Sequence, residues 1–332
     1  MTQTLPQAML QQAATRGTAT ALRYKRLGIW HPRSWQQLAD EVGRLAAALQ
    51  QSGFAREDEL LIISQARAEA LLLALAEAEA EVQQVREGQS PTRLLLFLDG
   101  RGLDAGTNPT LTAYEPWLAG APAAAPAQVA DSTRTAFVFY DADDQPPRRL
   151  SHGQLLEGAR KLLARERLGP GEEALAARVF AASGQARYLL TPWLSAGFCL
   201  NFPEALATRD TDRRELGPTL VLGTRESYGR LELWARERLP LPGTLSHRLY
   251  HWAMALSGNG VRRWLGHWLI RRPLLDVLGM SRLRVPLLVG PALTPQSAEF
   301  FAALGVRPGN WQEPGSQHAN ADAPTRLLPQ SV

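Results

Sequence analysis

From residue 131 onward, short apolar runs alternate with stretches of helical periodicity, and this alternation limits the fold more than any other feature of the chain. The runs are TAFVFY (135–140), ARVFAA (177–182), PTLVLG (218–223) and RVPLLVG (284–290). Each is short enough to be a strand and too apolar to be a surface loop. Between them lie amphipathic helices with legible starts. Ser151 stands at the N-cap of GQLLEGARKLLARE, and Thr294 caps TPQSAEFFAALG with Pro295 at its first position and Gly305 at its end. Strands that alternate with helices bury a mainly parallel sheet between helical layers, so the expected fold class is α/β.

The first 118 residues repeat the scheme less cleanly. LPQAMLQQAATR reads as a helix closed by Gly17, followed by an extended piece over 19–30. Ser34 and Gln37 form a capping-box pair at the start of a helix whose apolar face is Leu38, Val42, Leu45, Ala46 and Leu49, and Gly53 ends it. ELLIIS (59–64) and TRLLLFLDG (92–100) read as strands around an Ala/Leu/Glu helix at 66–85. Residues 119–130, AGAPAAAPAQVA, carry no charge and are rich in Ala and Pro, which marks a linker. The expected organisation is a first α/β lobe (1–118), that linker, a second α/β lobe (131–312) and a mobile tail (313–332).

Composition removes several alternatives. With 45% hydrophobic residues and a net charge of +4 from 36 basic and 32 acidic side chains, the chain is neither disordered nor fibrous. The small basic excess does not call for nucleic acid, and none is expected as a partner. A single cysteine, Cys199, forms no internal disulfide, the N-terminus lacks an apolar secretory core, and no run of about 18 apolar residues occurs. The expected compartment is the cytoplasm, with peripheral contact at the inner face of the membrane as an option.

Seven blocks then point to a family. TLPQAMLQQAATR (4–16), ALRYKRLGIWHPRSWQQLADEVGRLAAALQQSGFAREDELLIIS (21–64), RLLLFLDGRGLDAGTNPTLTAYEPWL (93–118), RRLSHGQLLEGARKL (148–162), NFPEAL (201–206), GPTLVLGTRESYGRLE (217–232) and GMSRLRVPLLVGPALTPQSAEFFAALGV (279–306) occur in this order. Together they resemble successive stretches of the AMP-dependent synthetase and ligase superfamily, in particular bacterial long-chain fatty acyl-CoA ligases. The resemblance implies the layered N-terminal domain of adenylate-forming enzymes. It also implies ATP-dependent conversion of a carboxylic acid to an acyl-adenylate, followed by transfer to coenzyme A. ATP and Mg²⁺ are the implied cofactors where activity is kept.

That chemistry brings two anions together and needs backbone donors and cations around the phosphates. The family supplies them with a Gly- and Ser/Thr-rich loop ending in Pro-Lys-Gly, just before a Leu-Ser-His helix start. Leu150, Ser151 and His152 match the helix start. The preceding residues, YDADDQPPRR (140–149), contain no Gly, Ser, Thr or Lys. Asp141, Asp143 and Asp144 would each meet a phosphate charge at a cost of about 4 kcal/mol at 4 Å and an effective dielectric near 20. Arg148 and Arg149 lie on the helix side of the acids. Further on, Glu313 is the one match to the family's magnesium-binding glutamate, and the threonine that accompanies it is absent. The first lobe is shortened, and the chain ends at Val332 without the family's C-terminal lid domain. Gly290 and Ala292 match positions that touch adenine through the backbone, so with Ser151 they are the candidate adenylate-site remnants.

The expected protein is therefore a ligase-like pseudoenzyme with no confident catalytic residue. It would bind a long-chain fatty acyl ligand, a protein partner or a membrane surface. The alternative is an active ligase completed by another chain or by a reconfigured Mg²⁺ site at the aspartates. A separate stretch, 246–276, collects Arg248, Arg262, Arg263, Arg271 and Arg272 with Tyr250, Trp252, Trp264 and Trp268, and has no acid before Asp276. Arginines interleaved with aromatics suit an interfacial helix on anionic lipid, with Arg262, Arg263, Trp264, Trp268, Arg271 and Arg272 as candidates; packing of the aromatics under a loop is the competing reading. His247 and His251 share a helical face but lack a third ligand, so no metal is expected. Gly258, Asn259 and Gly260 read as a turn, and Cys199 as a small buried hydrophobe.

Overall fold

The computed structural model describes residues 3–53, 67–76, 95–97, 111–122, 131–139, 148–177, 184–255 and 260–311. Chain contacts group into two compact units, Met1–Arg209 and Asp210–Val332.

In the first unit, α1 (Leu5–Arg16) starts at a capping box in which the Thr4 hydroxyl accepts from the Gln7 N–H and the Gln7 side chain accepts from the Thr4 N–H. The extended piece expected at 19–30 is the first arm and turn of an antiparallel hairpin, β1 (Thr20–Arg26) with β2 (Ile29–Ser34). Leu27 and Gly28 both adopt positive φ, 50° and 78°. The Glu204 carboxylate accepts from both of their N–H groups, at 2.8 and 2.9 Å, which holds a non-glycine residue in the left-handed region. The turn of the hairpin is thus fixed by a side chain from far along the sequence.

Helix α2 (Trp35–Gln51) begins at the Ser34/Gln37 capping box read from the sequence. Next come α3 (Ala68–Ala76), the parallel pair β3 (Leu95–Phe97) and β4 (Leu111–Ala113), and α4 (Tyr114–Ala119). The ELLIIS run and residues 77–85 lie outside the described residues. Antiparallel β5 (Thr135–Phe139) and β6 (Arg148–Ser151) lead into α5 (His152–Glu166), with the strand and helix where the sequence placed them. The next strand is β7 (Glu173–Leu175), ahead of the ARVFAA run; of that run only Ala177 is described, and it is not in a strand. A π-helical turn, Gln185–Leu190, continues into α6 (Thr191–Ala196) and then β8 (Cys199–Phe202).

The strands of this unit run β7-β8-β1-β2, with β8 parallel to both β7 and β1. Fully buried Trp35 and Trp193 stack at 4.9 Å, and the Trp193 indole donates to the Ala21 carbonyl at 3.0 Å. The polar tip of Trp193 thus has a partner, whereas the buried Trp35 Nε1 has none among the described residues. Because β1 pairs with β8, residues on both sides of the Ala/Pro-rich segment share one sheet, and the division between units falls at 209/210. Residues 123–130 of that segment, and the tail 313–332, lie outside the described residues.

The second unit contains α7 (Arg209–Leu216), β9 (Leu220–Gly223), α8 (Arg225–Arg236), α9 (Leu245–Met254), α10 (Gly260–Gly266), a π-helical turn (His267–Arg271), α11 (Arg272–Val277), β10 (Val285–Val289), α12 (Pro295–Leu304) and β11 (Gly309–Trp311). Here β10 lies between β9 and β11 and is parallel to both. Successive residues Leu287 and Leu288, on opposite faces of β10, are both buried, as a continuous apolar run requires. The core of this unit packs Tyr228 and Leu231 of α8 against Phe300 and Phe301 of α12, with Leu278, Met280 and Leu288. The close approach of β9 to α8 depends on Gly223, where a Cβ would lie 2.6 Å from the Tyr228 ring.

Candidate functional site

Several of the described residues that the sequence singled out do local structural work. Ser151 is the N-cap of α5: its hydroxyl accepts from the Gln154 N–H at 3.2 Å, and the Gln154 side chain accepts from the Ser151 N–H at 2.9 Å. The adjoining His152 is 1% exposed, and its Nδ1 accepts from the Leu5 N–H at 3.3 Å. That donor belongs to the first turn of α1, one of the groups a helix leaves unpaired. The Leu-Ser-His start therefore caps one helix and ties it to another. No sequence signal pointed to the His152 contact, since its partner lies 147 residues away.

In the second unit, β10 runs into Gly290, which has φ +88°, then Pro291 and Ala292 before the Thr294 cap of α12. The Ala292 carbonyl accepts from Arg225 Nε at 2.6 Å. One lone pair of the Ala292 carbonyl is thus already engaged. Beneath the turn, Ser297 donates to the Glu232 carboxylate, which also pairs with Arg236 at 2.6 Å. Tyr228, whose hydroxyl burial pushes to higher pKa, donates to the Leu287 carbonyl at 3.2 Å. These contacts tie the end of β10 and its turn to α8 and α12.

By residue type, the segment that the resemblance sets beside the triphosphate does not suit that group. Residues 140–149 offer three carboxylates, two prolines and two arginines, without a glycine to bring backbone N–H groups close to phosphate. The Ser151 hydroxyl is spent on its own helix. Residues 140–147, which include the aspartates of the alternative Mg²⁺ site, and Glu313 lie outside the described residues.

The arginine-aromatic stretch resolves into two roles. Arg262 donates twice to the Trp252 carbonyl, at 2.8 and 3.2 Å, and Arg271 donates to the carbonyls of Ala253, at 2.7 and 2.9 Å, and Ala255, at 3.3 Å. These carbonyls end α9, where a helix exposes unpaired acceptors and negative partial charge, so both arginines act as C-terminal caps. Trp264 and Trp268 stay exposed, and Arg272 lies 4.5 Å from the Trp268 ring centroid. Tyr250 is buried, whereas Trp264 and Trp268 are not. Arg263 falls in α10.

His247 and His251 do meet on α9, with Nε2 atoms 3.1 Å apart, and no group of three or more metal-binding side chains occurs among the described residues. Gly260 opens α10, while Gly258 and Asn259 lie outside the described residues. Cys199 is buried in β8, and burial pushes its thiol up to about 11, which suppresses the thiolate that a nucleophile needs. Among the described residues no helix is long and apolar enough to cross a membrane.

The fold is that of the N-terminal domain of adenylate-forming enzymes. The chain is similar to a nonribosomal peptide synthetase solved in an AMPPNP-bound form, with a TM-score of 0.61 at 15% identity over 90% of this chain and 30% of that one. It is also similar to the fatty acyl-adenylate ligase from L. pneumophila solved with acyl adenylate and pyrophosphate, with a TM-score of 0.58 at 12% identity over 91% of this chain and 52% of that one. Acetoacetyl-CoA synthetase from Streptomyces lividans gives a TM-score of 0.61 at 16% identity, covering 92% of this chain and 50% of that one. The chain thus spans from about a third to about a half of the length of these proteins. No protein-family profile and no curated protein matches it.

Proposed function

We propose that this protein is a long-chain acyl-CoA ligase-like pseudoenzyme that keeps the acyl-binding role of its fold and has lost ATP-dependent adenylation. The observation that carries the reading is the donor set of YDADDQPPRR (140–149). Adenylation needs positive charge and backbone donors where charge builds on the α-phosphate, and this segment offers three carboxylates and no glycine. The engaged Ser151 hydroxyl and Ala292 carbonyl support the same reading. With the phosphate site gone, binding energy remains available for the apolar part of a fatty acid, and a cytoplasmic setting suits the single buried thiol.

The experiment incubates the full chain with Mg²⁺-ATP and palmitate and follows pyrophosphate release, alongside thermal unfolding with each ligand alone. The expected result is no pyrophosphate, no midpoint shift with Mg²⁺-ATP, and an upward shift with palmitate. At 100 times its dissociation constant a ligand bound only to the native state adds about 2.7 kcal/mol, a shift of several degrees. Pyrophosphate release that depends on palmitate would instead establish an active ligase, the second reading left by the sequence. An unmoved midpoint with palmitate would remove the acyl-binding role.

A further inference from the structure

Residues 260–277 form one continuous helical rod, α10 through the π-helical turn to α11. Along it Val261, Trp264, Leu265, Trp268 and Leu269 recur at helical spacing, the pattern that normally marks the face a helix buries. Here that face is outward: Trp264 is 62% exposed, Trp268 48% and Leu269 54%. The inward face carries the small residue. Gly266 is buried against α9, where a Cβ would sit 3.2 Å from the Ala253 Cα. Leu245 and Leu249 of α9 are exposed as well. A helix with its small side toward the protein and its aromatic side toward solvent is organised for something outside the chain.

We propose that this face docks on the surface of an anionic phospholipid bilayer, with Trp264, Trp268 and Leu269 at the headgroup-acyl boundary and Arg248 and Arg272 among the phosphates. Charge selects this occupant. From Arg238 to Leu275 the sequence contains six arginines and no aspartate or glutamate. Arg262 and Arg271 cap α9 and Arg238 pairs with Glu237, so the charge offered to lipid is that of exposed Arg248 and Arg272. The Arg272 guanidinium stacks on the exposed Trp268 ring, so cation and aromatic are presented at the same edge, as at a membrane interface. A second copy on the same face would set arginines against arginines. The proposal stands apart from the reading of the phosphate loop, because it uses none of the residues around the implied adenylate.

The test is flotation of the full chain with vesicles of pure phosphatidylcholine and with vesicles containing roughly a third phosphatidylglycerol. Sedimentation velocity without lipid accompanies it. The expected result is binding to the anionic vesicles only, weakened by salt, and reduced at least about tenfold by Trp264→Ser with Leu269→Ser. Arg272→Glu is expected to weaken binding by about tenfold as well. All three side chains are exposed, so the thermal midpoint should hold and separate lost binding from lost folding. Equal binding to neutral vesicles, or anionic binding that survives Trp264→Ser with Leu269→Ser, would overturn the proposal. So would a dimer that this double variant dissolves while no vesicle binds, since a second copy would then cover the face.

Discussion

Replacing Gly223 by alanine isolates one packing contact in the second unit. The added Cβ would meet the Tyr228 ring at Cε2 2.6 Å, Cδ2 3.0 Å and Cζ 3.2 Å. Carbon atoms prefer roughly 3.5–4.0 Å, so the nearest contact falls about 1 Å short. Tyr228 has little room to withdraw: it is 1% exposed, its hydroxyl bonds the Leu287 carbonyl, and its ring meets Phe301 edge-on at 5.2 Å. Overpacking of this kind costs about 1–3 kcal/mol, and displacing the hydroxyl adds about 1 kcal/mol. The expected destabilisation is therefore about 2–4 kcal/mol. Urea unfolding read by hydrogen exchange on α8 and β10 peptides measures it within the second unit. In a Tyr228→Leu background, where the ring is gone, Gly223→Ala should cost less than half as much, so the two changes are less than additive. A loss under about 0.5 kcal/mol, or the same loss in both backgrounds, would refute the reasoning.

Three further outcomes follow from single contacts. His152→Ala removes the acceptor of the Leu5 N–H, and a buried donor left unpaired should cost about 1–3 kcal/mol, with faster amide exchange concentrated in the first turn of α1. Cys199, with its thiol near 11 against an ordinary 9.0, carries about a hundredfold less thiolate at pH 8, so labelling by a disulfide reagent should proceed at the rate of local opening and speed up sharply in urea. Asp131 accepts from the hydroxyl and the N–H of Thr133, and these bonds hold its carboxyl below the usual range. A depressed carboxylate stabilises the fold above its unfolded pKa and loses that contribution as pH falls through the folded value. The stability difference between the native protein and Asp131→Asn should shrink below about pH 4 and vanish in stronger acid.

Local signals carried much of the fold. Ser34 with Gln37, Ser151, and Thr294 with Pro295 start helices where the sequence placed them, because a cap is satisfied by residues three positions away and needs no tertiary partner. The strands at 135–139, 220–223 and 285–289 were legible because residues covered on both faces must be continuously apolar. Pairing between distant strands was not. Composition at 119–130 cannot reveal that β1 pairs with β8, since strand pairing is a contact between segments far apart in sequence.

The candidate site divides in the same way. The order of the seven blocks and the absence of Gly, Ser, Thr and Lys from 140–149 are properties of the sequence, determined before any folding. The sequence also showed that arginines and aromatics share 246–276. Only tertiary structure decided what each does. Arg262 and Arg271 close the C-terminus of α9, and Arg225 takes the Ala292 carbonyl, because backbone acceptors left open by one element attract guanidinium groups from whichever neighbour packs there. The periodicity at 261–269 marked an amphipathic face, and periodicity alone assigns such a face to the core. The close contact between Gly266 and Ala253 turned it outward, because the helix approaches its neighbour most closely on the side without a side chain.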